Sequence, residues 1–279
     1  MHLVPTLIHA LTTATLAAAV TPTRRSLPLS LNPTPQDLSN VTTGVSMRAP
    51  QALTNAKRLA LGLPLLKPHR RVTAPPTSSP LPPVHQRCIV RAVGTDNTDF
   101  GYLSPLWNAF NEYGLFQASP DGALELAFSY PPGSPSQISI TAANGPSAVY
   151  PFFGAIVAFY STSNDFDLGS YNHAYLGGTT QTAAGAPPSP EGSNSFSAGT
   201  GIPMDIESAI WSYDPVTHAL TAQWINTDGA APPTHIVYVN DSNHALAITG
   251  DVVALRVAFG AYYPELLLTC VPPTPGTTT

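Results

Sequence analysis

The chain has 279 residues, of which 31 are Pro, 20 are Gly and only 10% are charged. Hydrophobic residues make up 43% and aromatic residues 9%, which is enough for a sizeable core and excludes a wholly disordered chain. Residues 1–87 contain nine cationic residues and one anionic residue, whereas residues 88–279 contain two and fifteen. Because nucleic acids and anionic membrane surfaces require clustered cations, this distribution excludes both as partners of the acidic part.

Residues 1–20 are predicted to be a signal peptide. The stretch is moderately apolar and ends in small residues, with an A-x-A type cleavage site at Ala17-Ala18-Ala19. It lacks a Lys or Arg before the apolar part, so a plain apolar tail is the alternative. No other stretch of the sequence reaches the roughly 18 apolar residues that a membrane span requires.

Residues 21–71 form a basic segment that contains three dibasic pairs, the last being Arg70-Arg71. Dibasic pairs in an exposed, Pro-flanked region suit a processing endoprotease of the secretory pathway, which needs accessible backbone. We therefore predict a pro-segment, with a retained, disordered arm as the alternative. Residues 72–87 are polar and Pro-rich, which predicts a semi-rigid linker. Sequons at Asn40 and Asn240 are acceptors for N-linked glycans in a secreted chain.

Cys88 and Cys270 are the only cysteines. In an oxidising compartment two such residues most simply form one disulfide, which would join the two ends of a single domain. Two free, buried thiols are the alternative. Their wide separation gives no metal-ligand spacing, so the sequence offers no zinc site.

Residues 88–270 are predicted to form an all-β domain, an antiparallel β-sandwich of jelly-roll or lectin-like type, followed by a polar tail at 271–279. Short apolar runs separated by Gly, Pro, Asn or Asp are typical of this architecture. Only Tyr102–Tyr113 has a weak helical pattern. The predicted strands are Ala123–Tyr130, Gln137–Thr141, Tyr150–Tyr160, Glu207–Tyr213, Ala219–Asn226, His235–Asn240, Leu246–Thr249, Val252–Phe259 and Leu266–Cys270.

Asp205-Ile206-Glu207 is the nearest approach to a catalytic arrangement. On a strand, Asp205 and Glu207 share one face with Trp211 and Tyr213. Two carboxylates beside an aromatic shelf could hydrolyse a glycosidic bond as an acid and base pair. The pattern is similar to part of the E-x-D-x-E signature of lectin-like β-glucanases, but Pro203 occupies the position of that family's nucleophile. A solvated outer face and a non-catalytic sugar contact are the alternatives.

Asn164-Asp165-Phe166-Asp167-Leu168-Gly169 is a weak calcium-loop pattern. Alternate carboxylates before a Gly can wrap a hard cation with oxygen ligands. The pattern lacks the third acid and the terminal Glu of a helix-loop-helix calcium site. An ordinary polar loop at Asp165 and Asp167 is therefore the alternative, and no other cofactor is predicted.

The loop 161–182 mixes aromatic rings with amides and hydroxyls. Sugars bind to such mixtures, since a flat ring contacts their C–H face and planar polar groups pair with their hydroxyls. The candidate ligand-binding residues are Phe166, Tyr171, Asn172 and Tyr175, together with Trp211 and Tyr213. The alternative is that Tyr175 is core and the rest is solvated loop.

Several motifs of the chain resemble those of a set of secreted proteins of unassigned activity from mushroom-forming fungi. They are Leu53-Thr54-Asn55-Ala56-Lys57-Arg58-Leu59-Ala60-Leu61-Gly62-Leu63-Pro64, Arg70-Arg71, Tyr175-Leu176-Gly177-Gly178-Thr179, Glu207-Ser208-Ala209-Ile210-Trp211 and Gln223-Trp224-Ile225-Asn226-Thr227-Asp228-Gly229. The resemblance covers most of the chain. It implies secretion into a fungal extracellular setting and implies no particular activity.

The sequence thus favours a secreted, non-catalytic binding protein, with cell-wall glycan as the partner. This hypothesis would lose most of its support if the rings of Trp107, Trp211 and Trp224 were all buried. A secreted glycoside hydrolase that uses Asp205 and Glu207 is one alternative. A structural or host-interaction protein without a small ligand is the other. The sequence makes no prediction of the oligomeric state.

Overall fold

The computed structural model describes residues 30–40, 81–133 and 136–273. The described helices are α1 (Pro35–Asn40), α2 (Ser195–Thr200) and α3 (Val252–Phe259). The described strands are β1 (Val84–Gly94), β2 (Asp99–Leu103), β3 (Phe116–Gln117), β4 (Glu125–Tyr130), β5 (Thr141–Ala142), β6 (Phe152–Val157), β7 (His173–Thr179), β8 (Ile206–Glu207), β9 (Trp211–Tyr213), β10 (Ala219–Ala222), β11 (His235–Val239), β12 (Ala245–Thr249) and β13 (Leu266–Val271).

The prediction of an all-β antiparallel domain is confirmed. The thirteen strands form one sheet that curls into a half-barrel. Its main path runs β11-β12-β7-β6-β5-β4-β1-β13-β10-β9, with β2 beside β1, β3 beside β2 and β8 beside β6. All pairings between these strands are antiparallel.

The strands β6, β7 and β12 are covered on both faces. Ala155 of β6 and Leu176 of β7 belong to a large cluster on one face of the sheet. Their chain neighbours Ile156 and Tyr175 belong to a second cluster, which also contains buried side chains of α2 and α3. Because side chains alternate along a strand, a strand with two covered faces is apolar throughout. The strand predicted at 150–160 is thus present as β6, although it is shorter at both ends.

The helix α3 corrects one predicted strand. Asp251 caps its first turn by accepting a hydrogen bond from Ala254 N, and Gly260 ends it in the left-handed conformation at φ 66°. These two caps outweigh the β-branched residues that suggested a strand at 252–259. Residues 173–179 were predicted as loop and instead form the buried strand β7. The helical pattern at 102–113 is also wrong, since no helix forms there.

Cys88 and Cys270 form the predicted disulfide, with their Cα atoms 5.3 Å apart. The bond joins β1 to β13, two strands that are also paired along six residues of each. The domain therefore begins slightly earlier than predicted, because β1 starts at Val84 and includes the last four residues of the proposed linker. Val271, assigned to the polar tail, is likewise the last residue of β13.

Several predictions fall on residues that the structure does not describe. The signal peptide, the pair Arg70-Arg71 and most of the segments 21–71 and 72–87 lie outside the described residues. Asn40 ends α1, and Asn240 is exposed directly after β11. In the described ranges every helix is too short to cross a bilayer.

Candidate functional site

An open cleft of about 1060 Å³ lies beside the first half of β1 and is also lined by β4, the segment 137–141 and the segment 181–184. Its lining is rich in uncharged polar side chains. They are Gln86, Ser129, Gln137, Ser139, Thr141, Gln181 and Thr182. Phe128 and Phe152 add two phenyl rings to the lining, the first buried and the second half-buried.

The charge of the cleft is low. Arg87 is the one guanidinium among the described lining residues, and its Nε lies 2.9 Å from Oε1 of Glu125. His85 is exposed, and no carboxylate is among the described residues of the lining. The cleft therefore offers hydrogen-bonding groups with little net field, an arrangement suited to a neutral, hydroxyl-rich ligand.

Hydrogen bonds connect the segments that line the cleft, partly through the buried Ser208 behind them. Ser208 Oγ accepts from Thr182 N at 2.8 Å and lies 3.0 Å from Ser139 Oγ. Gln137 accepts a hydrogen bond from Gly185 N through its Oε1 at 3.0 Å. These contacts bring segments that are distant in the sequence together in one wall of the cleft. Gln181 is exposed and makes no side-chain hydrogen bond within the described chain, so it is free to meet a ligand.

The two carboxylates of the proposed hydrolase have different surroundings. Asp205 is half-buried and accepts a hydrogen bond from Asn164 Nδ2 at 2.7 Å. Glu207 is only 2% exposed, and its carboxyl oxygens lie 3.2 and 3.3 Å from Ile225 N, which donates to them. Burial raises the pKa of Glu207 to about 9, so its neutral form prevails at pH 7. Neither residue lines the cleft.

The aromatic shelf predicted beside these acids is part of the core. Trp211 is 0% exposed, stacks on Phe153 with ring centroids 4.8 Å apart, and donates its indole N–H to a backbone carbonyl. Tyr213 is 3% exposed and its hydroxyl pairs with His218 Nδ1 at 2.7 Å. Trp224 is also buried, so the expected solvent-facing ring is absent at both positions, whereas Trp107 is half-buried.

The aromatic residues of the loop 161–182 also have structural partners. Phe166 is 2% exposed and stacks on Trp224, with ring centroids 4.7 Å apart. Tyr171 is half-buried against the second cluster, and Tyr175 is fully buried in β7. The side-chain amide of Asn172 is hydrogen-bonded within the loop to three neighbouring residues. Phe166, Tyr175 and the amide of Asn172 are therefore engaged within the domain, whereas Tyr171 is partly exposed.

The two candidate calcium ligands have different surroundings. Asp165 accepts hydrogen bonds from the backbone and hydroxyl of Thr227, at 2.7 and 2.9 Å through its Oδ1. Asp167 is exposed on the next turn of the loop. No group of three or more His, Cys, Asp or Glu side chains is placed to hold a metal ion in the part of the chain that the structure describes.

Sequence reasoning missed the residues of the cleft. Gln137, Ser139 and Gln181 carry no motif, and they meet because β5, which follows the first two, and β7, which precedes Gln181, both pair with β6. The one local signal was the alternation of β4, whose outward Ser129 lies between the buried Phe128 and Tyr130. Comparison of the chain with family models, curated proteins and solved structures found no match.

Proposed function

We propose that the protein is a secreted, non-catalytic glycan-binding protein and that the cleft beside β1 is its binding site. The observation that supports this proposal is the lining of the cleft, in which amide and hydroxyl side chains surround a half-buried phenyl ring without a carboxylate. The disulfide supports secretion, since such bonds persist in oxidising compartments.

The chemistry of the lining favours a neutral polysaccharide over an acidic one. Gln86 and Gln181 present planar amides that donate and accept, as sugar hydroxyls also do. Phe152 offers an apolar edge to the C–H face of a pyranose. The single guanidinium, that of Arg87, already pairs with Glu125, so it adds little attraction for an anion.

Binding is tested with insoluble β-glucan, chitin and cellulose in pull-down assays, followed by calorimetry with the matching soluble oligosaccharide. We expect retention on at least one of the three polymers. The double variant His85→Ala/Gln181→Ala should bind about tenfold or more weakly, because two ligand contacts of roughly 1 kcal/mol each are lost. Both side chains are exposed or nearly so, and the variant should therefore fold.

Thr221→Ala is the matched control, because Thr221 is exposed on β10 and does not line the cleft. It should bind as the unchanged protein does. Retention on none of the polymers, or equal affinity of the cleft variant and the control, would contradict the proposal. Preferential binding of an acidic oligosaccharide would also contradict it.

A further inference from the structure

Residues Ser30–Asn40, which we call the N-terminal arm, are packed against the β-domain although about forty residues separate them from β1. Leu31 is 0% exposed and belongs to the second hydrophobic cluster, on the face of the sheet that α2 and α3 also cover. Its backbone carbonyl accepts a hydrogen bond of 2.6 Å from the hydroxyl of Tyr175. Tyr175 thus binds this arm with the polar end of a side chain that is otherwise enclosed in the core.

The next residue of the arm contacts a buried acid. Asn32 is 1% exposed and donates from Nδ2 to Glu112 Oε2 at 2.9 Å, an oxygen that also accepts from Asn108 Nδ2 at 2.8 Å. The other oxygens of the pair, Asn32 Oδ1 and Glu112 Oε1, are both buried without a partner among the described residues. Burial also raises the pKa of Glu112 to about 8, so the arm encloses a carboxyl group that resists ionisation.

The rest of the arm is also held by side chains. Asp37 accepts hydrogen bonds from Thr34 N and Oγ1, which caps α1, and from the hydroxyl of Tyr160 at 2.7 Å. At the other end, Asn243 donates from Nδ2 to Ser30 Oγ at 2.8 Å. The arm therefore makes specific contacts at its start, middle and end.

We propose that this face of the domain is a peptide-binding groove whose resident ligand is the N-terminal arm, and that the arm stays bound when the chain between residues 40 and 81 is cut. The groove selects an aliphatic side chain followed by a carboxamide, with a carboxylate further along the peptide. Cleavage at the predicted dibasic sites would then produce a two-chain protein rather than a domain that has lost its arm.

The contacts fit this role because they resemble those of a bound peptide rather than those of a covalently required element. One buried aliphatic anchor, one desolvated polar pair and peripheral hydrogen bonds are the usual composition of a peptide interface. The arm forms no strand of the sheet, so the β-domain has a complete hydrogen-bonded sheet without it. The inference concerns a different site from the cleft and does not rest on glycan binding.

The experiment uses the full chain with a recognition site for a sequence-specific protease inserted between Ser78 and Ser79. After complete cleavage, verified by intact mass, native size-exclusion chromatography should show the arm fragment co-eluting with the domain. Asn32→Asp should weaken retention at least about tenfold, because it removes the amide donor and places a carboxylate against Glu112. Leu31→Ala should weaken it by a similar factor through lost burial.

Gln36→Glu is the matched control, since it makes the same change from amide to acid at an exposed position of the arm. It should change retention by less than about threefold, the usual effect of a surface charge. Separation of the unchanged fragment from the domain would overturn the proposal. Equal release in the Asn32→Asp and Gln36→Glu proteins would overturn it as well.

Discussion

At the scale of single residues, the structure encloses two acids that a sequence reader would place in solvent. Glu112 is 0% exposed and Glu207 is 2% exposed. An ionised carboxylate in such surroundings is costly, so both groups become neutral and their pKa values rise, to about 8 and about 9. The protein therefore takes up protons as it folds at neutral pH.

Glu207→Gln tests this argument. The folded-state pKa of Glu207 is raised above the ordinary 4.5, so its contribution to stability is complete below pH 4.5 and is lost as pH rises through about 9. The loss amounts to roughly 1.4 kcal/mol per pH unit for one such group. The Gln variant keeps the contact with Ile225 N but has no proton to lose, so its free energy of unfolding should fall less between pH 5 and 8.

Chemical denaturation at pH 5 and pH 8 measures the difference. Asp167→Asn, at an exposed position, is the control and should show the same pH dependence as the unchanged protein. If the Glu207→Gln protein loses as much stability as the unchanged protein between these pH values, Glu207 is not the buried neutral acid described here.

At the scale of elements, β1 is the strand that connects the two halves of the sheet. Its first half pairs with β4, and its second half pairs with β13 and β2. The disulfide adds a covalent link between β1 and β13 and closes a chain segment with a separation of 182 residues. So long a closed loop restricts the unfolded chain strongly.

The double variant Cys88→Ala/Cys270→Ala should lower the free energy of unfolding by up to about 5 kcal/mol, the chain-entropy value for this loop length. Denaturation in guanidinium chloride measures the change. Reduction of the unchanged protein with a thiol reagent should produce a loss of similar size. A loss below about 1 kcal/mol in both experiments would mean that the strand pairing alone determines the stability of this junction.

At the scale of the whole molecule, opposing titrations set the pH of greatest stability. Burial lowers the pKa of His173 to about 4, so the stability that depends on its neutral form is lost as pH falls from 6.5 through about 4. The stability that depends on the neutral forms of Glu112 and Glu207 is instead lost as pH rises above 4.5. Between pH 4.5 and 6.5, rising pH removes more stability through the two acids than it adds through the one histidine. We therefore expect the free energy of unfolding to be greatest at about pH 4.5.

Thermal and chemical denaturation across about pH 3 to 9 locate this maximum. Exposed acids with lowered pKa values, such as Asp99 beside Arg91, add to the loss of stability below their ordinary pKa of 3.8. Stability that rises steadily up to pH 7 would contradict the expectation. It would mean that the acids are ionised in the folded protein.

The sequence by itself determined the all-β antiparallel class and the single disulfide. Alternation of apolar residues, as in β4, is a local property, and two cysteines allow only one pairing. The segment 252–259, predicted as a strand, is a helix because the local caps at Asp251 and Gly260 define its two ends.

Only the tertiary structure decided which polar groups are enclosed and which are open. Glu207 carries no local mark of burial, because its exposure depends on strands and loops that come from elsewhere in the chain. The cleft needs β1, β4 and the segment 181–184 to lie side by side. The docking of Leu31 likewise depends on an apolar face that no single segment possesses, since burial is a property of neighbours in space.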